Sequence, residues 1–279
     1  MARAGQRPAE RDRVTADRMD GAVAIVTGGG TGIGASVVRR LAARGVRCVV
    51  NYAHSRDEAE ALAAAVGNGA IAVQADIVDD DACRALVGAA VEAFGRLDFL
   101  VNNAGRTKYA NHEDLDALSA EDFVDIYRLN TIAPFQMIRA AAPHLRASAM
   151  GAVVNVASVA GEFGIGSSVA YAASKGALTT MTRSLARVLA PAIRVNAVAP
   201  GYVGTGWFEK RLGAEGFARL NERIAGAVPM GFATGPDDIA APIEMLLDPV
   251  SRVITGEILV LDAGAHLDTG LSRRTGREG

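Results

Sequence analysis

The sequence predicts an α/β fold: a doubly wound parallel sheet of about seven strands, helices on both faces, one domain. Three observations predict it. Short β-branched runs alternate with longer helical patterns along nearly the whole chain. The first run opens directly into a glycine-rich turn, and no internal repeat, linker or low-complexity block divides the 279 residues. Half of those residues are hydrophobic, enough for one large core.

Taken in order, Ala22–Val26, Cys48–Asn51, Ala70–Gln74 and Leu97–Val101 are short, apolar and bounded by turn residues, the form of strands buried on both faces. Gly34–Arg44, Arg56–Val66 and Asp80–Phe94 lie between them, with apolar residues at helical spacing. Such strand–helix–strand units imply parallel pairing through right-handed crossovers. A helix over Ala120–Arg146 follows, which Pro134 must bend or interrupt near Thr131–Phe135. Strand Ala152–Asn155, helix Val169–Leu189 and strand Ile193–Ala197 come next. Val203 to Phe232 is less regular and reads as a lid, with Trp207, Phe208, Phe217 and Leu220 as candidates for an apolar roof. Helix Asp237–Leu247 and strand Glu257–Leu261 complete the sheet.

The ends read differently. Residues 1–20 mix five arginines with Glu10, Asp12, Asp17 and Asp20 and have no apolar core. A flexible leader is expected there, not a secretory signal or transit peptide, and a polar tail over 268–279. The domain proper is expected over 21–267.

A formal charge of −2 gives no general attraction to nucleic acid or to an anionic membrane, and no apolar run is long enough to span one. Cys48 and Cys83 lack metal-ligand spacing and read as buried thiols in a reducing, cytoplasmic setting. His54, His112, His144 and His266 are scattered, so no metal site is expected. A small-molecule substrate is the expected partner.

Thr27-Gly28-Gly29-Gly30-Thr31-Gly32-Ile33-Gly34 joins the first strand to the first helix, with five glycines in eight residues. Glycines there let the backbone approach a pyrophosphate, and the helix N-terminus offers free N–H groups and a favourable dipole. This makes the fold Rossmann-type and the turn a dinucleotide site. A nicotinamide enzyme that prefers NAD places an acid at the end of the second strand. Here that stretch is Asn51-Tyr52-Ala53-His54-Ser55-Arg56, without an acid, and Asn51, Ser55 and Arg56 offer donors and charge for a 2′-phosphate. NADP is therefore expected over NAD.

Further along, Tyr171 and Lys175 stand four residues apart, on one helix face. A nearby cation stabilises a phenolate and draws its pKa towards a range useful for proton transfer. Ser158 lies 13 residues earlier, at the end of the preceding strand.

The glycine spacing Thr-Gly-x-x-x-Gly-Ile-Gly, Asn102-Asn103-Ala104-Gly105, Ser158, Tyr171-x-x-x-Lys175 and Pro200-Gly201, in that order, resemble the short-chain dehydrogenase/reductase family from about Gly21 to Leu267. The resemblance implies an oxidoreductase that interconverts a ketone or 3-oxoacyl group with a secondary alcohol. It implies a catalytic tetrad of Asn130, Ser158, Tyr171 and Lys175, with Tyr171 transferring the proton, Ser158 holding the substrate oxygen and Asn130 placing a water. It assigns Asp76 to the adenine amino group with Ile77 beside it, and Asn103, Ala104 and Gly105 to the adenosine side. Pro200, Gly201 and Val203 fall to the nicotinamide end, and Thr205 to the carboxamide or the phosphates. A homotetramer paired through the long helices is also implied, with Leu178, Met181, Leu185 and Val188 as one candidate face. Within the family the chain looks most like 3-oxoacyl-(acyl-carrier-protein) reductases. The alternative is a catalytically silent, NADP-binding regulator or scaffold on the same fold, which loss of a tetrad residue would favour.

Overall fold

A computed structural model describes residues 19–267; the expected tail and all of the expected leader except Met19 and Asp20 lie outside the described residues. The strands are β1 (Val23–Val26), β2 (Arg47–Tyr52), β3 (Ile71–Gln74), β4 (Phe99–Asn102), β5 (Ala152–Val156), β6 (Arg194–Pro200) and β7 (Ile258–Leu261). All pair in parallel, in the order β3-β2-β1-β4-β5-β6-β7. The order reverses between β1 and β4, so the loops leaving those two strands diverge and open a crevice at the carboxyl end of the sheet.

Helices α1 (Gly32–Ala43), α2 (Arg56–Val66), α3 (Asp80–Phe94), α4 (Ala120–Tyr127), α5 (Ala133–Ala147), α6 (Val159–Phe163), α7 (Val169–Leu189), α8 (Gly206–Ala227) and α9 (Pro236–Leu247) cover the two faces. Apolar side chains fill one layer on each side of the sheet. Val26, Val37, Leu41, Val50 and Ile243 belong to one, and Ile25, Leu86, Leu100, Met137 and Leu145 to the other. Met19 is fully buried in the first layer, so the folded unit begins before Gly21. Among the described residues no helix is long and apolar enough to cross a membrane, and no group of three or more potential ligands is placed to hold a metal.

Three elements differ from the expected ones. The helix anticipated over Ala120–Arg146 is α4 and α5 joined by a π-helical turn at Arg128–Ile132. Pro134 falls in the first turn of α5, where a missing N–H costs little. The irregular lid is mostly helical: α8 runs through it with a break at Gly213, whose φ of 70° no ordinary side chain adopts comfortably. No side chain described along α8 is fully buried, so the apolar periodicity that would have announced a helix is weak. The short α6 follows β5 directly and was hidden in a segment of small residues.

At the other end of the sheet, Asp98 holds three strands together. Its fully buried carboxylate accepts the Val23 N–H (2.9 Å), the Ser148 hydroxyl (2.5 Å) and a two-pronged contact from Arg96 (2.7 and 2.8 Å). Its main chain bonds Val23 on β1 and Ala152 on β5. Asp98→Ala strands those donors, and a loss of about 3 kcal/mol is expected. Urea unfolding monitored by circular dichroism checks this; a midpoint equal to that of the parent would refute it.

Candidate active site

The turn after β1 is stitched to the loop after β4 by side chains. The Thr27 hydroxyl accepts the N–H groups of Asn103 (2.9 Å) and Ala104 (3.1 Å) and donates to the Val101 carbonyl (3.3 Å). Asn103 returns two bonds from its amide to the carbonyls of Thr27 and Gly28. The approach is close enough that a Cβ on Gly34 would lie 2.4 Å from the Gly28 oxygen. Thr31 precedes α1 without capping it, which leaves the helix's first N–H groups facing the cleft.

That cleft, of about 590 Å³, is bordered by Gly28, Thr31, Gly32, Ile33, Asn51, Asp76, Ile77, Asn103, Ala104, Gly105 and Thr205. A second, larger crevice of about 930 Å³ reaches Ser158, Tyr171, Lys175, Pro200, Gly201 and Val203. Ile33, Asn103, Gly105, Arg106 and Thr205 border both, so the two form one continuous trough. A cradle that a Cβ would fill, uncapped helical N–H groups and an elongated trough fit a dinucleotide.

Several expected contacts do not face the trough. Thr27 is fully buried, Gly30 packs against Ala59, and Gly34 lies behind the turn; all three shape it from beneath. Tyr52 packs into the core below β2. The Asn51 amide already donates to the Ala75 carbonyl at 3.0 Å, so it is not free for a phosphate. Arg56 points along the surface to Gln74 (3.2 Å) and Glu60 (3.7 Å), and neither it nor Ser55 borders the cleft. In their place His54, Glu58 and Lys210 do. Strand alternation explains the shift: turn residues just past β2 turn inwards, and Asn51 is consumed in fixing β2 to β3.

The catalytic candidates come together. Ser158 caps α6, its hydroxyl accepting the Ala160 N–H at 3.1 Å, and Ser168 caps α7 by accepting the Tyr171 N–H at 3.3 Å. The two helices meet at glycines: a Cβ on Gly161 would lie 2.5 Å from the backbone of Lys175 and Gly176, fixing Ser158 beside Tyr171. Asn130 is fully buried in the π-helical turn. Its side chain exchanges two 2.9 Å bonds with the Arg106 main chain and donates to the Ser174 hydroxyl at 3.0 Å. Lys175, also buried, donates to the Val156 carbonyl at 2.8 Å, with its nitrogen 5.8 Å from the Tyr171 ring centre. Asn130 borders neither crevice, so it acts through its neighbours.

Burial dominates the electrostatics. It pushes the Tyr171 phenol above its ordinary pKa, against the opposing hydrogen bond from Ser158, and pushes the Lys175 ammonium down to about 8. The expected lowering of the phenol by its lysine neighbour is not found: desolvation favours the neutral form of both groups, and Ser158 supplies the opposing effect. The pair is set to hold a protonated phenol beside a crevice, ready to donate.

Around the larger crevice the missed residues are Tyr109, Asn111 and Tyr202. Tyr202 directly follows Pro200-Gly201 and was readable as part of that motif; Tyr109 had no signal beyond its place after Gly105. Phe208 borders the crevice as expected, beside Ile165, and lies 5.2 Å from the Tyr202 ring. Phe217, expected in the roof, instead packs under Gly204; nearby, Glu162 faces Arg183 at 3.8 Å and Phe163 stacks on His266 at 5.7 Å. The Trp207 side chain lies outside the described part. Lys108 is paired with Asp122 at 2.6 Å, which leaves Arg106 as the basic residue of that loop at the crevice.

The sequence matches the model of a family described as Enoyl-(Acyl carrier protein) reductase over residues 28–266. It is 44% identical over 251 residues to a relative named as a ketoacyl reductase of the granaticin polyketide synthase of Streptomyces violaceoruber, covering 90% of this chain and 98% of that one. A 3-oxoacyl-(acyl-carrier-protein) reductase of Staphylococcus aureus is 33% identical, with 88% and 98% covered. Among solved structures, a short-chain dehydrogenase/reductase from Burkholderia xenovorans superposes with a TM-score of 0.80 at 37% identity, covering 88% of this chain and 98% of its own.

Lys175 generates a paired expectation. Its folded pKa lies below that of the unfolded chain, so the buried ammonium costs stability below about pH 8, and the cost vanishes as pH rises towards 10.5. Lys175→Met is expected to abolish turnover yet unfold no earlier than the parent at pH 7. The stability difference should then move in the parent's favour, by up to about 3 kcal/mol, between pH 7 and pH 10. Urea midpoints of both proteins across that range test it; a difference independent of pH would refute it.

Proposed function

The chain belongs to the short-chain dehydrogenase/reductase family, and on that premise we propose that it reduces a ketone of the 3-oxoacyl type with NADP as coenzyme and Tyr171 as proton donor. The observation that carries this reading is that Tyr171, Ser158 and Lys175 line one crevice together, and that this crevice shares a wall with the coenzyme cleft. A bound nicotinamide supplies or accepts the hydride.

The chain's own groups do the rest. The Ser158 hydroxyl orients the carbonyl oxygen and steadies the negative charge that develops on it. Tyr171, held protonated by burial, gives that oxygen its proton. Lys175 is close enough to stabilise the resulting phenolate, and its ammonium also offers donors to a sugar hydroxyl alongside. Asn130 keeps the loop at Arg106 and helix α7 in register, and so sets the distance between Gly105, which would touch Asn130 and Lys175 alike through a Cβ, and the tyrosine. The proton that Tyr171 gives up would be replaced from solvent by way of the Lys175 ammonium.

For the coenzyme, the absence of a carboxylate over Asn51–Arg56 supports NADP, since an acid there would repel a 2′-phosphate. For the substrate, the two named reductases among the relatives and the apolar rim of Tyr109, Ile165, Tyr202 and Phe208 support an acyl ketone over a small polar one.

Consumption of NADPH with an acetoacetyl thioester, followed by absorbance, is expected to exceed that of NADH and to fall at least 100-fold in Tyr171→Phe. Full activity in that variant would remove Tyr171 from the mechanism, and a preference for NADH would reverse the coenzyme assignment.

The protein is also read as a homotetramer. Leu178 faces the sheet, not a partner, but Val188 on α7, Val124 on α4, and Ile132 and Phe135 around the π-helical turn are apolar and exposed. Light scattering should give four chains per particle; a single-chain mass would overturn this.

A further inference from the structure

We infer that Lys210, on the first turns of the lid helix α8, is a phosphate ligand of the dinucleotide and couples coenzyme binding to the position of the lid. This rests on the nicotinamide reading above and goes beyond it in naming a residue that none of the family motifs contains.

The inference starts from charge. A nicotinamide dinucleotide carries anionic phosphates, yet the glycine turn has Thr31 in place of a cation and the residues expected to meet a phosphate point elsewhere. Arg56 is held by Gln74 on the surface and the Asn51 amide is spent on Ala75. The basic side chains that border the coenzyme cleft are His54, Arg106 and Lys210. Arg106 belongs to the wall shared with the substrate crevice, and His54 follows β2 at the adenosine end. Lys210 comes from the opposite side, five residues after Thr205.

Geometry brings it close. Thr205 and Gly206 border the same cleft, and the Thr205 methyl lies 3.5 Å from where a Cβ on Gly32 would sit, so the start of the lid abuts the phosphate-facing turn. Consecutive lid residues then divide between the two crevices. Phe208 enters the substrate side beside Tyr202, and Arg211 lies over the Tyr109 ring at 4.9 Å, while Lys210 borders the coenzyme side. Among the described residues Lys210 makes no ion pair. A cation in that place is attracted to a phosphate oxygen, and because it is on the same turn as Phe208 and Arg211, holding it draws the substrate roof shut.

Equilibrium titration of the parent, Lys210→Met, Lys210→Arg and the neighbouring control Glu209→Gln with NADPH and with NADH, read by nicotinamide fluorescence, tests this. Lys210→Met is expected to weaken binding about tenfold, with Lys210→Arg near the parent and Glu209→Gln no weaker. Weakening of both nucleotides assigns the contact to the diphosphate, and weakening of NADPH alone assigns it to the 2′-phosphate; either supports the inference. NADPH should also protect the lid from chymotrypsin in the parent and less so in Lys210→Met. Unchanged binding of both nucleotides by Lys210→Met, with the parent binding normally, overturns the inference and leaves the coenzyme reading intact. A folded parent that binds neither nucleotide overturns both.

Discussion

Between β1 and β4 the sheet changes direction, and the gap this leaves at its carboxyl end must be bridged by something other than strand pairing. Thr27 and Asn103 bridge it. One buried hydroxyl and one half-buried amide supply five hydrogen bonds between two segments that otherwise diverge. Their bonds pull the turn together so closely that no Cβ fits at Gly34, while Gly28, tight against Ala104, also takes a φ of 59° that favours glycine. The open cleft above them is the remaining part of that gap. Motif glycines and motif asparagines are therefore two sides of one constraint: the asparagine brings the backbones together, and the glycines allow it.

The same logic governs the catalytic end, where buried polar groups depend on one another for satisfaction. Asn130 can donate to Arg106 and Ser174 together only because the π-helical turn carries its side chain away from the helix surface. Ser174 in turn bonds the Tyr171 carbonyl at 2.7 Å, so the loop after β4, the turn before α5 and the helix bearing the tyrosine are locked as a unit. Lys175 has a single protein acceptor at Val156 and is otherwise wrapped in low-dielectric surroundings. Such a group weakens the fold and is tolerable where its charge is needed only when a substrate and coenzyme are present.

How much of this could be read from the chain follows from periodicity and order. All seven strands were legible because the central ones, buried on both faces, are continuous apolar runs and the edge strands β3 and β7 stay largely apolar. The π-helical turn was not, since Arg128–Ile132 differs from an α-helix only by one extra residue per turn, which no side-chain pattern reports. Asn51 borders the cleft, but its amide and the Tyr52 side chain are engaged elsewhere, for a physical reason. A motif names residues at a strand end, but which of them face a ligand depends on alternation and on who satisfies the neighbouring strand; here Asn51 answers to Ala75 and Tyr52 to the core. Lys210 was passed over because its significance arises only when α8 folds back over the cleft.

The lid is where the sequence is freest and where the two crevices are brought under common control. Elsewhere in the sheet a changed side chain disturbs a packed layer, whereas along α8 no described side chain is fully buried and Gly213 separates the helix into two pieces. Few apolar contacts anchor it, so its opening costs little compared with unfolding of the sheet. What holds it are contacts at its first turns: Thr205 against Gly32, Phe208 against Tyr202, Arg211 over Tyr109. These touch the coenzyme turn, the strand-end motif and the far rim of the substrate crevice, three parts of the site made by distant segments. A lid anchored in this way registers what occupies each crevice, because each occupant adds to or displaces one of those contacts. Substrate preference can thus be varied through α8 and the Tyr109 loop without touching the bonds that form the cleft or hold the tyrosine.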